Sequence, residues 1–273
     1  MNTGINKPGK ERLGGLEQRF LSYTQFREIS LVRTGQLRDD LELTAEQERK
    51  LLWRLARGGT IIRLKRGVYL VPPRLPLGGV WNPGEEFILR ELMRVYDYGR
   101  CQLCGWPVFN RLGFTDQVSA RIYAYNNRIY GARVIAGREF TFIKVPDRRL
   151  GGTEESARPD SPASIMPTRA RALVDAVFEW SRFGTLPRAL EWIREEVKGD
   201  PGLAGRIAEA TGRFGNQGTI RRIGYVLEKA GFSGEAGQRL KASLRSKKSV
   251  IPLVPGRQAR GSVNTDWGIV DNE

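Results

Sequence analysis

The chain has 273 residues, 40% of them hydrophobic, which is enough for a packed core in one large domain or two ordinary ones; no apolar run approaches the roughly 18 residues that a membrane span needs. Its net charge of +15 and pI of about 10.2 predict an anionic partner, most often nucleic acid. It contains no histidine, which removes Ser-His-Asp and Cys-His nucleophilic sites, histidine acid–base chemistry and histidine-liganded metals.

The basic excess is unevenly spread. Residues 1–75 carry 15 Lys/Arg and 8 Asp/Glu, and the other 198 carry 30 and 22. The net positive density is therefore more than twice as high at the N-terminal end. The opening "MNTGINKPGKERLGG" is polar, without the apolar stretch of a signal peptide, so a loose arm and a cytoplasmic location are expected.

A helical pattern follows over 16–29, and a shorter one over 34–41. Thr44 then opens a third helix, with Gln47 three residues on to complete a capping box. Leu51, Leu52 and Leu55 mark its buried face, and Gly58 and Gly59 end it. Residues 60–64 and 68–71 read as two strands, with Gly67 allowing the tight turn between them. Pro72 and Pro73 begin a linker that runs to about Gly84.

Three helices and then a hairpin is the order of a winged helix-turn-helix. In such a domain the third helix enters the major groove and the wing lies along the backbone or in the minor groove. Glu46, Gln47, Arg49 and Lys50 lie near the start of that helix, where side chains reach base edges. Arg54 and Arg57 lie nearer its end, where phosphates are met. Arg63, Lys65 and Arg66 supply the wing with cations. A basic face that meets only solvent is the plain alternative. Trp53 is expected to pack against the first helix or the wing, with contact to the sugar-phosphate backbone as the alternative.

Beyond the linker, 85–98 looks helical, and Phe87, Ile88, Leu92 and Met93 look like the start of a second core. A short helix over 107–112, an alternating strand in "QVSARIYAYNN" and strands near 129–134 and 140–145 form a small sheet over 84–146. Cys101 and Cys104 are too few for a zinc site and lack a thioredoxin-like context, so they read as small buried side chains. Residues 147–167 form a polar loop and the likeliest mobile segment. Residues 168–273 are mainly helical, with stretches at 169–183, 187–197, 202–213, 217–230 and 235–245. "SVIPLVP" is a candidate strand. Asp175 is placed to pair with Arg169 or Arg171 at helical spacing. The expected class is α+β: a winged-helix domain over 1–75 and a larger C-terminal domain of sheet and helices over 76–273.

Four segments resemble the AbiEi-type antitoxins of bacterial type IV toxin–antitoxin (abortive infection) systems. They are "LLWRLARGGTIIRLKRGVYLVP", "CGWPVFNRLGFTDQVSARIYAYNN", "TRARALVDAV" and "RRIGYVLEKAG", in family order and spanning most of 30–270. The chain departs from the family where a histidine often precedes Gly-Leu; here Arg111 and Leu112 precede Gly113. The absence of histidine and of an acid cluster predicts no catalytic activity and no cofactor, and the resemblance implies an autorepressor. Such a protein binds double-stranded DNA at inverted repeats, as monomers that cooperate there, and counters a nucleotidyltransferase toxin with or without touching it. The candidate surface for that second task is Arg221, Arg222 and Tyr225 with Arg239, Lys241 and Arg245, ahead of Lys247 and Lys248 in the same basic run. Repression and neutralisation are expected to separate at the linker. The alternatives are a winged-helix regulator with an unrelated effector domain, or a nuclease built on acids such as Asp116 and Glu139. The second lacks a base at Thr141, two positions past its second acid.

Overall fold

The computed structural model describes residues 14–75, 78–96, 99–155, 164–232, 234–245 and 249–273. The N-terminal arm, the centre of the 147–167 loop and Lys247 and Lys248 lie outside the described residues. The chain is α+β and divides into two compact units. One runs to Val95 and includes Ile135–Gly137; the other comprises Tyr96–Val134 and Arg138–Glu273.

The first unit begins with α1 (Gly15–Phe26), a short strand β1 (Leu31–Arg33) and a run of turns over 34–42. α2 (Ala45–Arg57) follows, then the hairpin of β2 (Ile62–Lys65) and β3 (Val68–Leu70). The three strands pair in the order β1-β3-β2, both pairs antiparallel, which is winged-helix topology. The sequence pattern predicts α1, α2 and the hairpin but no β1. Three residues between a helix and a turn are too short to show alternation, and only the Leu31↔Leu70 and Arg33↔Val68 pairing creates the strand. The helix predicted over 34–41 is also absent. Its last turn closes instead through Leu41 N–H to Leu37 O and Leu43 N–H to Arg38 O.

That turn is tied down by a buried acid. Glu48 accepts two bonds from the Gly35 N–H, at 2.7 and 2.9 Å, and one from Arg38 Nε at 2.8 Å. Glu48 shares the inward face of α2 with Leu51, Leu52 and Leu55. These leucines pack with Phe20, Leu21, Val32, Leu37, Leu41, Ile61 and Val71. Each such side chain contributes about 1.5–3 kcal/mol when fully buried. The Thr44 capping box forms as expected: Gln47 N–H donates to Thr44 Oγ1 at 3.2 Å, and Thr44 N–H to Gln47 Oε1 at 2.8 Å.

The expected boundary at residue 75 differs from the observed units. α3 (Glu85–Tyr96) falls largely in the first unit, so the buried Ile88 and Leu92 lie in that unit rather than opening the second. The linker is held by the first unit as well: Thr60 Oγ1 donates to Gly79 O, and Trp81 N–H to Gly59 O. Arg94 donates to Ser30 Oγ at 3.2 Å and so secures the far end of α3.

The second unit opens with β4 (Cys101–Cys104) and α4 (Trp106–Arg111). β5 (Ile122–Asn126), β6 (Gly131–Ile135) and β7 (Arg138–Lys144) complete a sheet of order β4-β5-β7-β6. β5 pairs antiparallel with β4 and parallel with β7. The helical portion comprises α5 (Arg169–Phe178), α6 (Trp180–Phe183), α7 (Arg188–Gly199), α8 (Gly202–Phe214), α9 (Gln217–Lys229) and α10 (Glu235–Ala242). These match the predicted stretches closely because each shows amphipathic spacing. β8 (Ile251–Pro252), β9 (Ser262–Asn264) and β10 (Ile269–Asp271) then form a small terminal sheet, of which the pattern foreshadows only β8.

The ends of the 147–167 loop are ordered by burial. Arg149, Leu150, Ile165 and Met166 are buried, and Thr153 bridges to Pro167. Asp175 pairs with Arg171 as expected and also with Arg149, whereas Arg169 turns instead to Glu196.

Candidate nucleic-acid interface

α2 presents two opposed faces. At 3.6 residues per turn, Glu46, Arg49, Lys50, Trp53 and Arg57 point into one arc of about 100°, roughly opposite the buried leucines. All five are exposed. Lys50 Nζ lies 2.8 Å from Glu46 Oε1, an exposed i,i+4 pair of the kind that contributes little. Arg49 Nε donates to Ala45 O at 3.3 Å. The Arg57 guanidinium sits 5.0 Å from the centre of the Trp53 ring. Glu46, Arg49, Lys50 and Trp53 wall a shallow depression of about 370 Å³.

Two candidate residues of this helix are placed differently. Gln47 is exposed but beside the outward stripe, and its carbonyl oxygen is engaged in the capping box. Arg54 turns toward α1 and lies 3.5 Å from Glu17. Trp53, expected to pack inward, is 57% exposed. The reason is angular: Trp53 falls on the opposite side of the helix from Leu51, Leu52 and Leu55.

The wing is minimal. Lys65 pairs with Val68, leaving Arg66 and Gly67 as the turn, with Gly67 at φ 75°. Arg63, Lys65 and Arg66 are all exposed, and Arg63 Nε donates to Lys65 O at 3.3 Å. Thr34 N–H donates to Gly67 O at 2.9 Å, so the wing is anchored to the turn that Glu48 also holds. The first unit thus carries all eight candidate cationic and amide side chains of the sequence reading on exposed positions, around one helix and one hairpin.

The candidate surface in the second unit is split by burial. Arg221, Arg222 and Tyr225 are buried and are corrected from surface to interior. Arg221 Nη1 donates to Ser249 O at 2.7 Å. Arg222 donates to Leu253 O at 3.0 Å and Pro252 O at 3.1 Å. Tyr225 Oη donates to Asp271 at 2.6 Å. The terminal segment covers the face of α9 that the helix pattern leaves open; the two arginines satisfy its backbone carbonyls, and Tyr225 donates to the carboxylate of Asp271. Burial lowers the Arg222 pKa to about 10, so it remains charged at neutral pH. Arg239 and Arg245 are exposed and Lys241 half-buried. Arg239 pairs with Glu235 at 2.7 Å, and Lys241 with Asp266 at 2.6 Å and Glu228 at 3.2 Å, so part of this charge is compensated.

The two thiols stand on opposite faces of β4, because they lie three positions apart in a strand of period two. Both are buried. Burial pushes the Cys101 thiol up to about 11 and that of Cys104 well above the usual range. A buried protonated thiol is a poor nucleophile. A disulfide reagent at neutral pH should therefore label neither cysteine in the native chain and both in urea; rapid labelling of the native protein would contradict this burial. Among the described residues no group of three or more His, Cys, Asp or Glu side chains is arranged to hold a metal ion. No helix among them is long and apolar enough to cross a membrane.

These features define an α+β chain whose first unit has winged-helix topology with a basic outward helix and wing. No protein-family model matches the chain, and no curated protein does. Among solved structures it is similar to the crystal structure of the RV2827C protein from Mycobacterium tuberculosis, with a TM-score of 0.63 over 96% of this chain and 92% of that one. The two sequences are 16% identical, so the likeness is one of fold.

Proposed function

We propose that this chain is a DNA-binding antitoxin of the AbiEi type, cytoplasmic and without catalytic activity. It represses its own type IV toxin–antitoxin operon and counters a nucleotidyltransferase toxin. The observation that carries the DNA-binding part is the outward stripe of Arg49, Lys50, Trp53 and Arg57 beside a wing bearing Arg63, Lys65 and Arg66. A basic helix of this width fits the major groove, and wing cations fit the phosphates. The antitoxin part rests on the four segments that resemble the family. In the second unit, Arg239, Lys241 and Arg245 remain as its surface, since Arg221, Arg222 and Tyr225 are interior.

The test uses the full chain in cells that also express a nucleotidyltransferase-like toxin encoded beside it. Lys65→Ala with Arg66→Ala should abolish repression of a promoter reporter and leave rescue intact when the antitoxin is supplied from an unrelated promoter. Loss of both activities would place neutralisation on the DNA-binding surface. Rescue by neither variant nor wild type would sink the antitoxin reading and leave a winged-helix regulator.

A further inference from the structure

The proposed DNA-binding face contains one side chain that electrostatics does not explain. Trp53 sits in the middle of α2, 57% exposed, among Arg49, Lys50 and Arg57. Single exposed apolar residues are ordinary, and Phe26, Val118 and Tyr130 are more exposed still. Trp53 differs in its setting. With Glu46, Arg49 and Lys50 it lines a shallow depression of about 370 Å³. Its ring is flanked by the Arg57 guanidinium at 5.0 Å, and it points directly away from the core of its unit. The rim sets Arg49, Lys50 and Arg57 against one carboxylate, Glu46, which pairs with Lys50, so an occupant with negative charge at its edge and an apolar centre fits it.

Duplex DNA meets both conditions at one base. In the major groove the phosphates supply the rim. Thymine alone among the four bases presents an apolar group, its C5-methyl, where the others present only donors and acceptors. An indole face set against those polar edges would leave them unsatisfied, whereas against a methyl it excludes water at no such cost.

We propose that Trp53 is a specificity-determining residue that reads a thymine methyl in the major groove of double-stranded DNA. Arg49, Lys50 and Arg57 hold the flanking backbone. This inference rests on the DNA-binding reading above and deepens it.

The test starts with the full-length protein and a randomised duplex library, from which the most enriched duplex becomes the probe. Each thymine of that probe is then replaced in turn by deoxyuridine, which removes only the methyl. Wild type should lose about fourfold in affinity at one or two positions, the value of one buried methyl-sized group. Trp53→Ala should bind the thymine and deoxyuridine probes equally at those positions, and Trp53→Phe should keep part of the preference. A circular dichroism melt shows that each variant is folded, which the exposure of this residue favours. Wild type indifferent to every deoxyuridine, or Trp53→Ala still discriminating at the same positions, overturns the proposal while DNA binding stands. If the protein enriches no duplex, the DNA-binding reading falls and the proposal with it.

Discussion

Asp175→Asn should destabilise the second unit by about 3–5 kcal/mol, the range for removing one partner of a buried ion pair. Asp175 is 1% exposed and Arg171 fully buried. Its two carboxylate oxygens are divided between two guanidiniums: Oδ1 accepts from Arg149 Nη2 and Oδ2 from Arg171 Nε, each at 2.9 Å. The arginines are otherwise well placed. Arg171 donates to Gly151 O at 2.8 Å and to Arg149 O at 2.7 Å, and lies 3.9 Å from the Phe214 ring centre. Arg149 donates to Phe214 O and stands 3.8 Å from the centre of the Phe178 ring. With asparagine the shape changes little, but one accepting oxygen becomes an amide N–H donor facing a guanidinium, and two buried cations lose the carboxylate they share.

The cost of Asp175→Asn is therefore that of a lost charge together with a lost acceptor. It is a large share of the 5–15 kcal/mol by which an ordinary domain is stable. Urea unfolding followed by circular dichroism measures it, with Asp200→Ala as the control. Asp200 pairs with Arg206 at 2.5 Å but in solvent, where such a pair contributes about 0–1 kcal/mol. An Asp175→Asn midpoint equal to wild type would show that the cluster does not bear on stability. The combined change Arg149→Met, Arg171→Met and Asp175→Leu should recover much of the loss, because it removes every buried charge together.

The second large effect is on binding. Lys65→Ala with Arg66→Ala should weaken binding to every duplex, specific or not, and reduce the dependence of log K on log salt by about 2 units, close to one per lost phosphate contact. The residues stand at the tip of a wing anchored by the Thr34–Gly67 bond, so alanine there removes charge without disturbing β2 or β3. Gel shifts at two salt concentrations separate this from a sequence-specific loss. A variant that keeps the wild-type slope would show that the wing does not touch the backbone. Trp53→Ala should give the opposite signature, an unchanged slope with altered base preference.

Much of this architecture was legible in the residues themselves. α2 declares itself through the Thr44–Gln47 capping box, the Leu51, Leu52 and Leu55 stripe and the closing glycines, all of them interactions within one turn or two. The helices from Arg169 to Ala242 show the same local periodicity. The wing follows from two short strands and Gly67, where the backbone must take a positive φ. The clustering of cations at the N-terminal end was likewise visible as composition.

What lies between distant residues was not legible. β1 exists because β3 pairs with it, and β9 and β10 because each finds a partner across the terminal segment. A three-residue strand has no periodicity of its own, so only the partner's hydrogen bonds define it. Arg221, Arg222 and Tyr225 look like a surface on a helical wheel, yet the terminal segment buries them by bringing carbonyls 28 to 31 residues away, and the Asp271 carboxylate 46 residues away, onto α9. Arg149 could not be assigned to Asp175 from sequence, since 26 residues separate them. The sequence by itself thus determined most of the helices, though not the turns over 34–42, together with the wing and the sign of the charge, which depend on neighbours along the chain. Tertiary structure alone decided which charges face solvent and which are buried, because burial depends on what a second segment covers.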